Sequence, residues 1–168
     1  YIVSTPIGNQ RDITFRAVDI LEKVDYILAE NPNTSNKILK NLSLKAKKIQ
    51  YNDKNETYKA DTILKLLLQN KNIALISDAG TPCISDPGFR LVRLAHKNLI
   101  KVHSIPGPSS AIAALSISGL PSDSFFFEGF LPRKKGRQQR LTFLSTIPST
   151  VIIFESPFRI TKTLIDIY

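Results

Sequence analysis

The sequence of 168 residues holds no methionine, no tryptophan, one cysteine and two histidines. The lone cysteine, Cys83, excludes internal disulfides and cysteine-rich zinc sites, and fits a reducing compartment. No histidine lies near it in sequence, so Cys83 reads as a small loop residue rather than a nucleophile. His96 and His103 have no motif around them, and no metal is expected. No apolar run approaches the roughly 20 residues of a membrane span, so no membrane partner is expected. No secretory signal opens the chain, because Tyr1-Ile2-Val3 already reads as a strand. A cytoplasmic location follows as an expectation. The lack of methionine implies a trimmed native start. Neither a Walker lysine motif nor GxGxxG follows the first strand, which removes the common nucleotide-binding classes.

What is present is a globular composition, 42% hydrophobic and 22% charged, with a basic excess. Lys and Arg number 23 against 14 acidic residues, a net charge of +9 and a pI near 9.7. Such a balance points to a polyanionic partner. A Lys-rich proteome is the plain alternative.

Residues 73–88, IALISDAGTPCISDPG, organise the chain. Ile73 to Ile76 is a short apolar run, long enough for one buried strand. Ser77 and Asp78 stand at its end, and Gly80, Pro82, Pro87 and Gly88 follow. Glycine permits positive φ and close backbone approach, while proline stiffens a loop. Helical spacing resumes at Phe89, Leu91, Val92 and Ala95. Connections of this kind usually take two to six residues, and this one takes roughly a dozen. A ligand-binding loop is the reading.

Strand and helix alternate on both sides. Ile2-Val3, Asp25 to Glu30, Lys47 to Tyr51 and Lys101 to Ile105 read as strands. Thr14 caps a helix with the stripe Ala17, Val18, Ile20, Leu21 and Val24. Thr34 or Ser35 caps a short helix through Leu39 and Leu42, after an Asn31-Pro32-Asn33 loop. Asn55 caps a helix carrying Ala60, Ile63, Leu64 and Leu67. Alternation of this kind predicts an α/β fold with a mainly parallel sheet. The loops 4–9, 30–35, 77–88 and 106–110 all follow strands and should face one cleft.

The expected domains are residues 1–118, a linker at 119–123, and 124–168. Beyond the linker Phe125 to Phe127 and Val151 to Phe154 read as strands, with helices after each. That is a thin core for a domain, which implies an incomplete second α/β domain. Between them lies Arg133-Lys134-Lys135-Gly136-Arg137-Gln138-Gln139-Arg140, five of eight residues basic. Such a run can neutralise RNA phosphates, with Phe130 placed to stack on a base. A solvated loop is the alternative.

STPIGN (4–9), ISDAGTPCISDPGF (76–89), PGPSSAIAAL (106–115), SGLPSDSFFFEGFLPRKKGR (118–137) and FESPFR (154–159) occur in this order across the whole chain. Together they resemble the ribosomal small-subunit RNA ribose 2′-O-methyltransferases of the tetrapyrrole-methylase superfamily. The resemblance implies S-adenosylmethionine as methyl donor, held between two α/β domains. It implies a cytidine ribose in the decoding region of 16S ribosomal RNA as acceptor, with the small subunit as partner; a homodimer is one assembly open to it. Carried over by motif, the donor contacts are Pro6, Ala79, Gly80, Thr81, Ile84, Ser109, Ser110 and Glu155. The implied RNA contacts are Arg133, Lys134, Lys135, Arg137 and Arg140. One stretch departs from the pattern: where the family shows Glu-Asp-Thr-Arg, this chain has Glu30-Asn31-Pro32-Asn33.

A ribose hydroxyl is a weak nucleophile, so positioning supplies most of the effect and a carboxylate takes the proton. Asp78, at the end of the central strand, is the first candidate and Glu30 the second. Loop capping is the structural alternative for both. Two other functions fit the residues: methylation of a small acidic tetrapyrrole, and a binding relative impaired in catalysis by the 30–33 stretch.

Overall fold

The computed structural model describes residues 1–40, 42 and 44–168. They form two compact units, Tyr1–Ser110 and Ala111–Tyr168. In the first, strands β1 (Ile2–Val3), β2 (Tyr26–Ala29), β3 (Lys47–Gln50), β4 (Ile73–Ile76) and β5 (Ser104–Ile105) lie in the order β3-β2-β4-β1-β5. Every neighbouring pair is parallel. Helices α1 (Phe15–Lys23), α2 (Pro32–Ile38), α3 (Glu56–Leu68) and α4 (Phe89–Lys97) connect successive strands, and α5 (Ser110–Ile117) follows β5.

β4 lies mid-sheet with all four residues buried, as a strand covered on both faces must. Successive side chains on a strand point to opposite faces. Ala74 and Ile76 therefore join Ile27, Ala29 and Val3 in one core cluster, where α1 contributes Ala17 and Leu21. Ile73 and Leu75 join Leu28 in the other, with Ile63 from α3 and Leu91 from α4. The helix leaving β1 thus covers one face and the helix leaving β4 covers the other. β1 and β4 are neighbours, so their carboxyl ends flank a topological switch point, the place where open α/β sheets bind ligands.

Local chemistry sets the helix starts. Thr14 caps α1 as expected, its Oγ1 accepting from the Ala17 N–H at 3.1 Å. α2 begins earlier than its sequence suggests, at Pro32 rather than after Thr34 or Ser35. Asn31 is the cap, accepting from the Asn33 N–H at 3.0 Å, and proline in the first turn sacrifices no helical hydrogen bond. Ser35 is buried and donates to the Asn31 carbonyl. β5 covers only Ser104–Ile105 of the expected 101–105, because β1 offers it two residues to pair with.

The second unit holds α5 beyond Ser110, then β6 (Phe125–Phe130), α6 (Arg137–Ser145), β7 (Thr150–Phe154) and α7 (Ile160–Ile167), with β6 and β7 parallel. β6 runs past the expected Phe127 through a register shift between Phe127 and Gly129, and Gly129 takes φ +71° there. Its buried core is small, built on Leu131, Leu141 and Leu144. Two strands alone make a marginal sheet, and α7 leaves Leu164 and Ile165 exposed.

Candidate active site

Four loops meet at the switch point, and hydrogen bonds lock each to the loop after β4. Thr5 and Gly80 form an antiparallel bridge, Thr5 N–H to Gly80 O at 2.8 Å and Gly80 N–H to Thr5 O at 3.1 Å. The Thr5 hydroxyl, fully buried, also donates to the Ser77 carbonyl at 3.2 Å. Ser4 Oγ and Thr81 Oγ1 lie 2.9 Å apart, and the Thr81 hydroxyl reaches the Pro108 carbonyl at 3.1 Å. A Cβ at Gly107 would stand 2.9 Å from Ser4 Cβ, so the 106–110 loop approaches closely because it has none. The fourth loop joins through the Asn31 N–H, which donates to Asp78 Oδ1 at 3.2 Å.

The central loop holds its shape under backbone strain. Gly80 has φ +80°, Cys83 +71° and Ser85 +59°. Conformations of this kind in non-glycine residues persist only where surroundings impose them. Gly88 closes the loop at φ +133°, and a Cβ there would meet Leu75 Cδ2 at 2.4 Å and Cys83 Sγ at 2.6 Å. Glu56, in the first turn of α3, accepts from the Gly88 N–H at 3.3 Å and pairs with Arg90 Nε at 3.0 Å.

The structure brings together Pro6, Ala79, Gly80, Thr81 and Ser109, with Ser110 opening α5. Ile84 lies on the same loop with its side chain half exposed. Gly80 uses both its peptide groups on Thr5, with Ala79 and Thr81 on either side. Gly80 carries no Cβ and takes φ +80°, a conformation open to glycine, where a Cβ would lie 3.4 Å from Ile7 Cγ2 and 3.7 Å from the Pro108 carbonyl. Glu155 lies in the second unit. Its carboxylate accepts from the Thr163 hydroxyl at 2.7 Å and the Ser156 N–H at 2.6 Å, and pairs with Arg159. These bonds, Thr163 foremost, hold its carboxyl below the usual range.

Carboxylates gather beside the crevice. Glu30, Asn31, Gln50, Asp53 and Asp78 line a cleft of about 370 Å³ at the ends of β2, β3 and β4. Burial pushes the Glu30 carboxyl up, reinforced by Asp78, Asp86 and Asp53. Asp86, which reads in sequence as a turn residue, is pushed up to about 6, mainly by burial, against an opposing hydrogen bond from Ser77. Burial also lifts the Cys83 thiol to about 11, so it stays protonated near neutrality.

The basic run divides. Arg133, Lys134 and Lys135 are exposed and make no ion pair among the described residues. Arg137 turns inward to Asp166 at 2.8 Å, the Thr163 hydroxyl at 2.8 Å and the Pro132 carbonyl. Arg140 pairs with Glu128 through two nitrogens and stacks over Phe143, 4.7 Å from the ring centre.

Sequence reasoning missed Thr5, Glu56 and the role of Asn31. Asn31-Pro32 carries a local signal, a capping residue before a first-turn proline. Thr5 and Glu56 carry none, because their partners are far away in sequence.

The mainly parallel α/β fold is shared with solved structures of methyltransferases. A cobalt precorrin-4 methyltransferase of cobalamin biosynthesis superposes with a TM-score of 0.73 at 16% identity, covering 99% of this chain and 72% of that one. The uroporphyrin III C-methyltransferase of Thermus thermophilus superposes at 0.66 and 18% identity, over 99% and 76%. Residues 1–167 match the family model of the tetrapyrrole (corrin/porphyrin) methylases, and the chain belongs to that family. Within it, the chain groups with proteins named ribosomal RNA small subunit methyltransferase I. It is 48% identical to that of Escherichia coli O157:H7 over 99% of this chain and 59% of the relative. For the Thermotoga maritima protein the figures are 43%, 99% and 75%. The chain spans about three fifths of the length of most such relatives. Among the described residues no helix is long and apolar enough to cross a membrane.

Proposed function

We propose that the protein containing this chain transfers a methyl group from S-adenosylmethionine to the 2′-hydroxyl of a cytidine in the decoding region of 16S ribosomal RNA. It acts on the small subunit, in the cytoplasm, as a homodimer. The observation that carries the donor site is the locking of three loops around the Thr5–Gly80 bridge at the switch point. The acceptor rests on the names of the relatives.

In this reading S-adenosylmethionine supplies an electrophilic methyl. The chain supplies position and a proton acceptor. The N–H groups of Ala79 and Thr81 and the hydroxyls of Ser109 and Ser110 hold the donor's polar ends. Asp78 takes the ribose proton, with Glu30, beside it in the acidic cleft, the second candidate for that role. Asp78 Oδ1 already accepts from Asn31, which fixes its carboxylate and leaves its second oxygen for the acceptor.

Methyl transfer from labelled donor to assembled small subunits, naked 16S RNA and a precorrin separates the readings. Transfer to the subunit alone supports the proposal. Transfer to the precorrin moves the chain to the tetrapyrrole branch. Donor binding without transfer to any acceptor leaves a binding relative.

A further inference from the structure

α4 presents a second basic surface, in the first unit and remote in sequence from the 133–140 run. Arg90, Arg93 and Lys97 are spaced three, four and seven residues apart, which stacks them on one helix face. They line a groove of about 610 Å³ between α3 and α4, floored by Ala60 and Leu94. Phe89, the first residue of α4, lines the same groove and is 65% exposed. Among the described residues Glu56 is the only acid lining it, and it is already paired with Arg90. Arg93 and Lys97 are exposed and make no ion pair among the described residues. Three cations against one acid leave the groove with a net charge of +2.

We propose that this groove holds the phosphate backbone of the acceptor RNA, as a docking surface outside the methyl-transfer crevice. The proposal rests on the reading of RNA as acceptor. The cations span seven residues, about 10 Å at 1.5 Å per residue, which exceeds one phosphate and suits successive phosphates of a strand. Guanidinium groups meet phosphate oxygens in bidentate fashion. An exposed aromatic among them offers a stacking platform that accepts any base. The groove also has a route to the chemistry. Gly88, the residue before Phe89, closes the crevice loop, and Glu56 holds both the Gly88 N–H and Arg90. A strand laid along α4 therefore arrives at the loop that carries the donor contacts.

The test is fluorescence anisotropy of the full chain with an end-labelled single-stranded RNA 20-mer across a salt series. Arg93→Gln with Lys97→Gln should flatten the log–log salt slope by about 1.4, two contacts at about 0.7 each. At ~0.1 M salt that corresponds to roughly 25-fold weaker binding if counterion release supplies all of it. Lys23→Gln with Lys101→Gln removes the same charge elsewhere and should leave the slope unchanged. Phe89→Ala should weaken binding at every salt concentration without changing the slope. An unchanged slope in the α4 variant overturns the proposal, and so does an equal loss in the control pair. Competition by polyglutamate as strong as by unlabelled RNA would make the groove an acidic-peptide site instead. Methyl transfer to small subunits is measured in parallel. With transfer measured on the full-length protein that contains this chain, absent transfer with an altered slope removes the enzymatic reading and keeps the groove, and transfer with an unaltered slope does the reverse.

Discussion

Thr5 and Gly80, 75 residues apart, exchange both of their backbone hydrogen bonds, at 2.8 and 3.1 Å. This bridge joins the loop after β1 to the loop after β4, so the two sides of the switch point move as one. Gly80 can take part because its φ of +80° is open to glycine at little cost. Gly80→Val should abolish donor binding while costing about 1–2 kcal/mol of stability, the penalty of a left-handed side-chain residue. Calorimetric titration with S-adenosylmethionine on both proteins checks it, and equal affinities would remove this loop from the donor site.

Gly88→Ala should be more damaging to the fold. Its Cβ would fall 2.4 Å from Leu75 Cδ2, inside the core beneath β4, at a φ that L-residues rarely adopt. Overpacking and strain together should cost about 3 kcal/mol or more. Urea denaturation reads the loss directly; a midpoint equal to wild type would show that the core yields more readily than the contacts imply.

Asp86 should make the protein less stable as pH rises. Its folded value near 6 lies above the ordinary 3.8, so between those limits the folded state holds more protons than the unfolded chain. The contribution of Asp86 to stability is therefore greatest below about pH 4, falls toward pH 6 and levels off above, while the lowered carboxyl of Glu155 acts in the opposite direction. Glu30, also raised, acts in the same direction as Asp86. Asp86→Asn should raise Tm at pH 7, change it little at pH 4, and so reduce the slope between them. Scanning calorimetry across this range would show an undiminished slope if another group were responsible.

Asn31→Asp together with Asn33→Arg should raise methyl transfer by the full-length protein that contains this chain. The Asn31→Asp change keeps the cap on α2, since a carboxylate accepts from the backbone N–H of position 33 as the amide does. Alone it adds charge beside Glu30, Asp53 and Asp78; the Asn33→Arg change offsets that charge. Turnover rates of wild type, the single Asn31→Asp variant and the double variant decide it. A rate in the double variant no higher than wild type, with Tm unchanged, would show that the 30–33 stretch does not limit the reaction.

The basic run should separate into two behaviours. Lys134→Gln with Lys135→Gln should reduce the salt slope of RNA binding by about 1.4 and leave Tm unchanged, because both side chains are exposed. Arg137→Gln should lower Tm, because it strands Asp166 and Thr163 in a partly buried network. Filter binding and thermal melts on the two variants give opposite patterns if this division is right, and matching patterns if it is wrong.

Local residues determined much of this molecule without help. The alternation of apolar runs and capped stripes defines the parallel α/β order, because periodicity and caps act within a few residues. Ile73–Ile76 reads as a buried central strand from its own composition, and the glycine and proline content of 77–88 marks a rigid loop. Tertiary structure alone decided which loops meet. Nothing near Thr5 indicates Gly80, and nothing near Glu56 indicates the Gly88 N–H. The proton affinities of Glu30 and Asp86 are raised first by burial and then by carboxylates near the ends of β2, β3 and β4, and both depend on the fold. Arg137 and Arg140 look identical to Arg133 in sequence; Asp166 and Glu128 turn them inward. Hydrogen bonds and fields act over a few ångströms of space, and only the fold converts separations of tens of residues into such distances.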